Sequence, residues 1–198
     1  MFRAFGEINE FEIKIGEVSG KFFENDDFYL EAEKMIHVQP CNAYSFVLKG
    51  KTRIDKSKLK KYKIKPGKYL QKLKQGKGIS YKGKKYKVKD LTFKDPGKKV
   101  SFLLDTLMNN KIVGFVKNSD ILICESTFMS ELKNKAKEYK HLTSKQAGEI
   151  AKKSKSKELY LVHLSQRYSR DNKKVLNEAR KVFKKTRIPK DLDVVFVG

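Results

Sequence analysis

His37, His141 and His163 are the only histidines among the 198 residues of this chain. They sit in the strings Met35-Ile36-His37-Val38, His141-Leu142-Thr143-Ser144 and Leu161-Val162-His163-Leu164. Asp105 and Glu125 each follow an apolar run, at 100–104 and 121–124. Neutral imidazole and carboxylate oxygen suit zinc and manganese. A hydroxide held between two such ions attacks a phosphodiester in line. The spacings match no short zinc motif, so the fold has to assemble any site.

The elements that would assemble it follow from periodicity. Residues 11–15 alternate apolar and polar, as a half-buried strand does, and 28–32 and 44–48 read as two more strands. His37 then lies at a strand end. The short apolar runs at 100–104, 121–124 and 159–162 predict buried strands that deliver Asp105, Glu125 and His163. A polar helix is expected over 130–139. A clearer one follows Thr143, with Gln146 completing a capping box. Val175, Leu176, Ala179, Val182 and Phe183 recur at helical spacing within 172–185, and 193–197 reads as a closing strand. The pattern is layered α/β, in the α+β manner, and such folds gather ligands beyond strand ends.

Between 49 and 89 the composition changes. There are 18 basic residues here and one acidic residue, Asp55. Large aliphatics are sparse, so little burial is expected. Tyr62, Tyr69, Tyr81 and Tyr86 alternate with the lysines, placing stacking surfaces beside phosphate-binding charge. An RNA-contacting arm at about 50–89 is the expectation. The whole chain carries a formal charge of +23, from 46 Lys and Arg against 23 Asp and Glu. A partner rich in phosphate follows, with binding that weakens as salt rises. No stretch approaches the roughly 18 apolar residues of a membrane span, and acidic residues occupy the place of a signal peptide's apolar core. A cytoplasmic chain without a membrane partner is expected. Cys41 and Cys124, without CxxC spacing, are expected to be reduced thiols.

Four strings occur in order: Asp105-Thr106, Cys124-Glu125-Ser126-Thr127-Phe128, His141-Leu142-Thr143-Ser144-Lys145-Gln146-Ala147 and His163-Leu164-Ser165-Gln166-Arg167-Tyr168. The series resembles the C-terminal half of ribonuclease Z, the metal-dependent endonuclease that trims transfer-RNA 3′ ends. That family's pattern is G-D-T, H-E-[AS]-T-F, H-x-T-x-x-Q-A and [TV]-H-x-S-x-R-Y. Upstream, the string from His37 to Tyr44 looks like the family's strand-end histidine, and Pro66-Gly67-Lys68-Tyr69-Leu70 looks like its protruding arm. The resemblance implies the C-terminal half of an αββα metallo-β-lactamase-like sandwich, with residues 1–198 as a partial domain. It implies that His37 ligates one of two divalent ions, zinc or manganese, that His163 ligates the other, and that Asp105 bridges them. His141, with Glu125 beside it, would move a proton or stabilise charge at the scissile phosphate. Lys65, Lys68, Tyr69, Lys72, Lys74 and Lys77 would grip precursor transfer RNA.

This sequence departs from the pattern in several places. Leu103-Leu104 precedes Asp105 in place of Ser-Gly, Cys124 stands for a histidine, and Lys68 follows Gly67 where proline is usual. The family's H-x-H-x-D-H signature is absent from the chain. One histidine per ion plus a shared aspartate gives each ion two protein ligands, fewer than zinc sites use. The expectation is therefore a chain inactive alone. It would need an N-terminal half bearing H-x-H-x-D-H, as a separate chain or as missing sequence, with a homodimer as the complete form. Two rival readings are a non-catalytic RNA-binding protein with a vestigial metal site and a small-molecule hydrolase of the same fold.

Overall fold

The computed structural model describes residues 16–197. The strand expected at 11–15 lies outside them. The chain opens with an antiparallel meander, β1 (Gly20–Glu24), β2 (Phe28–Lys34) and β3 (Asn42–Leu48). An excursion follows: β4 (Lys51–Ile54), α1 (Lys56–Lys61), α2 (Gln71–Lys74), β5 (Ile79–Tyr81), β6 (Lys84–Tyr86), α3 (Val88–Leu91) and β7 (Thr92–Asp95). The chain then returns as β8 (Lys98–Leu103), α4 (Lys111–Phe115), β9 (Ile121–Glu125), α5 (Lys133–Glu138), α6 (Ser144–Lys153), β10 (Glu158–Val162), α7 (Asn172–Val182) and β11 (Thr186–Arg187).

The main sheet has seven strands in the order β1-β2-β3-β8-β9-β10-β11, antiparallel up to β8 and parallel from there on. Side chains alternate across it. Leu103, Leu122, Cys124, Leu159 and Leu161 point to one face and are buried with Ile150, Ala151, Val175 and Ala179 of α6 and α7. Gly148 lets the two helices approach closely, since a Cβ there would meet the Ala179 carbonyl oxygen at 3.0 Å. The capping box on α6 forms: Thr143 Oγ1 accepts from Gln146 N at 3.2 Å, and Gln146 Oε1 accepts from Thr143 N at 2.9 Å.

The opposite face is apolar and largely open. Tyr44, Phe46, Leu48 and Phe102 are each about 40% exposed, at 42%, 36%, 38% and 38%. Phe28 and Phe46 pack with ring centroids 4.9 Å apart. Contiguous exposed apolar surface of this kind marks an interface.

Three expectations about elements need correction. The closing strand expected at 193–197 has no strand partner among the described residues, where β11 holds that sheet edge. Val195 and Val197 instead line a cavity with Ile121, Ile123 and Tyr160 on the open face. The last helix stops at Val182 rather than 185, because Phe183 is extended and Thr186 begins β11. The segment 49–89 buries more than its composition suggested. Leu59, Ile64, Leu70, Leu73, Ile79 and Leu91 form a second core. Burial contributes roughly 1.5–3 kcal/mol for each such aliphatic. These residues come from separate short elements, so no local run announces them. Asp55, the single acidic residue of the segment, caps α1 by accepting from Ser57 N and Lys58 N.

The excursion is closed at its base by the β4–β7 ladder, which runs to Asp95. Gly50 lies against that neck, where a Cβ would come within 2.6 Å of the Asp95 carbonyl oxygen. Gly97 turns the chain back into the sheet with φ +75°. Among the described residues no helix is long and apolar enough to cross a membrane.

Candidate metal centre

Because β8, β9 and β10 are parallel neighbours, their C-terminal ends share one edge. Asp105 lies two residues beyond β8, Glu125 closes β9, and His163 follows β10 directly. Asp105 and His163 both have positive φ, 42° and 54°. Non-glycine residues adopt that conformation only when surrounding structure enforces it. It turns the chain sharply as each strand leaves the sheet.

His141 arrives from the other direction, ahead of the α6 cap. Its N–H donates to the Ala136 carbonyl at 2.8 Å, and Leu142 beside it is buried. Glu178 of α7 fixes this region. Its carboxylate accepts from Ser130 N and Oγ, from Ser144 Oγ and from Lys145 N. Burial opposes ionisation of Glu178, but those hydrogen bonds outweigh it and hold the carboxyl below its ordinary range.

Asp105, His141 and His163 each offer a ligand atom, and these atoms all lie within 4.8 Å of one another. Asp105 Oδ1 is 3.2 Å from His163 Nδ1 and 4.0 Å from His141 Nδ1. It is buried, yet neither contact has hydrogen-bond alignment and it accepts none. A buried carboxylate oxygen without a donor is costly unless a cation faces it. Two imidazoles and one carboxylate match the three-ligand set of a catalytic zinc site. The residues therefore fit a divalent ion.

Glu125 stands behind this set. It is fully buried and accepts from Thr106 N at 2.6 Å, Thr127 Oγ1 at 2.7 Å and His141 Nδ1 at 3.1 Å. A carboxylate so supplied is an orienting group, and it requires the proton of His141 on Nδ1. The other two rings obey the same rule. His37 Nδ1 lies 3.1 Å from the Lys140 carbonyl, which can only accept. His163 Nδ1 lies 3.0 Å from Thr127 Oγ1, whose one hydrogen is already donated to Glu125. On these contacts the neutral ring of each histidine carries its proton on Nδ1. This is the usual tautomer control at metal sites.

His37 stands next to the group without belonging to it. Its ring is 4.9 Å from that of His141, outside the three-residue ligand set. Its loop is pinned to the Asp105 loop by Leu107 N donating to Ile36 O at 2.7 Å. Cys41 donates its thiol to the Asp105 carbonyl at 3.0 Å. Burial, then the nearby Asp105 and Glu125 carboxylates, push that thiol's pKa up, so it stays protonated. Both cysteines are free thiols, and Cys124 is a core residue. Sequence reasoning assigned no role to Thr127, Thr106, Lys140, Cys41 or Glu178. Thr106 and Thr127 had a signal in their places in the Asp105-Thr106 and Glu125-Ser126-Thr127 strings.

On the arm, Lys65, Lys68, Lys72, Lys74 and Lys77 are exposed. Tyr69 is half-buried, its hydroxyl donates to the Lys65 carbonyl, and its ring packs 5.6 Å from that of Tyr81. It belongs to the arm's own core.

A ribonuclease Z from Nanoarchaeum equitans is 37% identical over 158 residues, which is 80% of this chain and 50% of that protein. A ribonuclease Z from Archaeoglobus fulgidus is 34% identical over 207 residues, covering 99% of this chain and 67% of the relative. The chain belongs to the ribonuclease Z family. It spans half to two thirds of the length of these ribonuclease Z relatives. No protein-family model matches. Among solved structures, the short form of human tRNase Z superposes with a TM-score of 0.54 at 21% identity, over 90% of this chain and 46% of that one. The metallo-β-lactamase fold protein YhfI from Bacillus subtilis gives 0.53 at 21% identity, over 85% and 49%. The fold is that of the metallo-β-lactamase group, as the ribonuclease Z resemblance implied.

Proposed function

We propose that this chain supplies the C-terminal half of a ribonuclease Z that removes the 3′ trailer of precursor transfer RNA in the cytoplasm. The carrying observation is the unpartnered, buried Asp105 oxygen between His163 and His141, in a chain of this family. In the proposed assignment His37, His163 and Asp105 would hold two divalent ions, zinc or manganese. Those ions would supply a nucleophile at neutral pH and stabilise charge on the phosphate.

The chain's own residues do the rest. Asp105 and His163 are held at their positive-φ turns, so the ligand atoms are placed before substrate arrives. Thr127 and the Lys140 carbonyl fix the tautomers of His163 and His37. His141, oriented by Glu125 through Nδ1, serves proton transfer or stabilises charge at the scissile phosphate. The products are a 3′-hydroxyl on the RNA and a 5′-phosphate on the trailer. The arm lysines grip the RNA away from the cut.

The open sheet face is the proposed seat of an N-terminal half bearing H-x-H-x-D-H, with a homodimer as the complete enzyme. The test mixes this chain with the N-terminal portion of a relative and assays precursor transfer RNA with zinc or manganese. Cleavage by the pair and by neither part alone is expected. Absence of cleavage with every metal, alongside salt-sensitive RNA binding unaffected by His163→Ala, would favour a non-catalytic RNA-binding protein instead.

A further inference from the structure

A cavity of about 210 Å³ opens beside His141, on the side where α5 passes. Leu107 and Met108, both half-buried, give it an apolar wall. Lys133 and Lys137 reach it from α5, where their i,i+4 spacing puts both on one side of the helix. Neither lysine has an ion pair among the described residues, so two uncompensated ammonium groups border an apolar hollow. Asn134 lies between them in sequence and also lines the cavity. Gln146 commits its carboxamide oxygen to Thr143, which leaves its NH2 as a donor.

The size narrows the ligand. Sites for whole small molecules occupy about 300–1,000 Å³, so this one takes a smaller unit. Its contents are an apolar wall with a polarisable thioether, two cations, and side-chain amides able to meet a base edge. That set matches one nucleotide: a flat base, a polar edge and a phosphate. His141 lines both this cavity and the metal centre, so a nucleotide here is adjacent to the bond acted upon.

We propose that this cavity is a subsite for a single nucleotide of the RNA next to the scissile phosphate. The base lies against Leu107 and Met108, and the phosphate rests on Lys133 and Lys137. The inference builds on the RNA-cleaving reading for its place in the reaction. The nucleotide affinity itself belongs to this chain and needs no partner half.

The test is a titration of the full chain, without metal, with uridine 3′,5′-bisphosphate, followed by the 13C-methyl NMR signal of Met108. A saturable shift of Met108 is expected. Affinity should fall at least tenfold in Lys133→Glu/Lys137→Glu and in the milder Lys133→Gln/Lys137→Gln. It should hold in the charge-matched control Lys152→Glu/Lys153→Glu, with far-UV circular dichroism confirming folding of each variant. A Met108 signal that does not move, or moves equally with inorganic phosphate alone, overturns the proposal, as does full affinity in both lysine pairs. If the chain cleaves no RNA with any partner half while Met108 still titrates, the cleavage reading fails and the nucleotide site stands.

Discussion

The Thr127 hydroxyl lies 3.0 Å from Nδ1 of His163 and gives its own proton to Glu125, 2.7 Å away. One buried carboxylate therefore sets the tautomer of His163 through Thr127 and that of His141 directly. Two imidazoles on different elements answer to one residue at the end of β9.

Thr127→Val keeps the shape of the side chain and removes the relay. We expect the fold to persist while metal affinity of the completed enzyme drops about 10–100-fold, the usual cost of losing an orienting partner. 15N NMR of the imidazoles gives a second readout on this chain alone. His163 should report a protonated Nδ1 in the native protein and mixed tautomers in the variant. Unchanged tautomer populations would rule out the relay.

Glu125→Ala removes three hydrogen bonds from a fully buried position. Each donor stranded there costs about 1–3 kcal/mol. A large drop in the urea midpoint is the expected result, far exceeding that of Asp105→Ala, whose Oδ1 accepts no hydrogen bond. Equal losses in the two variants would contradict the separation of roles between the two carboxylates.

Glu178 makes an acid-sensitive contribution to stability. Burial works against its charge, but the donors from Ser130, Ser144 and Lys145 prevail and its folded pKa is depressed. A depressed carboxyl contributes stability above its unfolded pKa of about 4.3 and loses it as pH falls through the folded value. Glu178→Gln should thus be less stable than the native chain at neutral pH and approach it in acid. Denaturation midpoints across pH 2–7 (roughly the span over which carboxylates titrate) would test this, and parallel curves would disprove it.

Lys68→Glu, Lys72→Glu and Lys74→Glu together should weaken binding to precursor transfer RNA and flatten its salt dependence. The slope of log K against log salt changes by roughly 0.9 for each lost phosphate contact to a duplex. Fluorescence anisotropy over a range of salt reads both. Tyr69→Ala should behave differently and lower the thermal stability of the arm, because its ring packs on Tyr81. Loss of RNA affinity with no change in arm stability would return Tyr69 to a stacking role.

The sequence disclosed most about the side of the molecule that is locally coded. Short, mainly apolar runs of four or five residues identified β8, β9 and β10, and the next polar residue located Asp105, Glu125 and His163 at or just beyond the strand ends. The Thr143–Gln146 capping box placed the start of α6, and with it His141. The arm core was hidden because Leu59 and Leu73 are isolated among lysines, Leu91 stands between Asp90 and Thr92, and they meet only after the chain has folded back. The part played by Thr127 was hidden for a related reason. It depends on β9 and β10 being neighbours, a fact of topology that no local string contains. Residues 193–197 misled because a short apolar run records that a segment can be buried, not whether a sheet edge is free to pair with it.

β3 and β8 are antiparallel partners, with Leu48 opposite Lys98. Without the arm between them, they would be joined by a tight reverse turn. The arm is therefore a cassette set into a hairpin, with its own core and a narrow glycine-bounded neck. Its length, charge and curvature can drift, or be exchanged wholesale, without shifting Asp105 at the far end of β8. Under the proposed function, grip on the RNA and chemistry at the cut would then be separately adjustable, and the arm would be the place to retarget the nuclease while its cutting centre stays as it is.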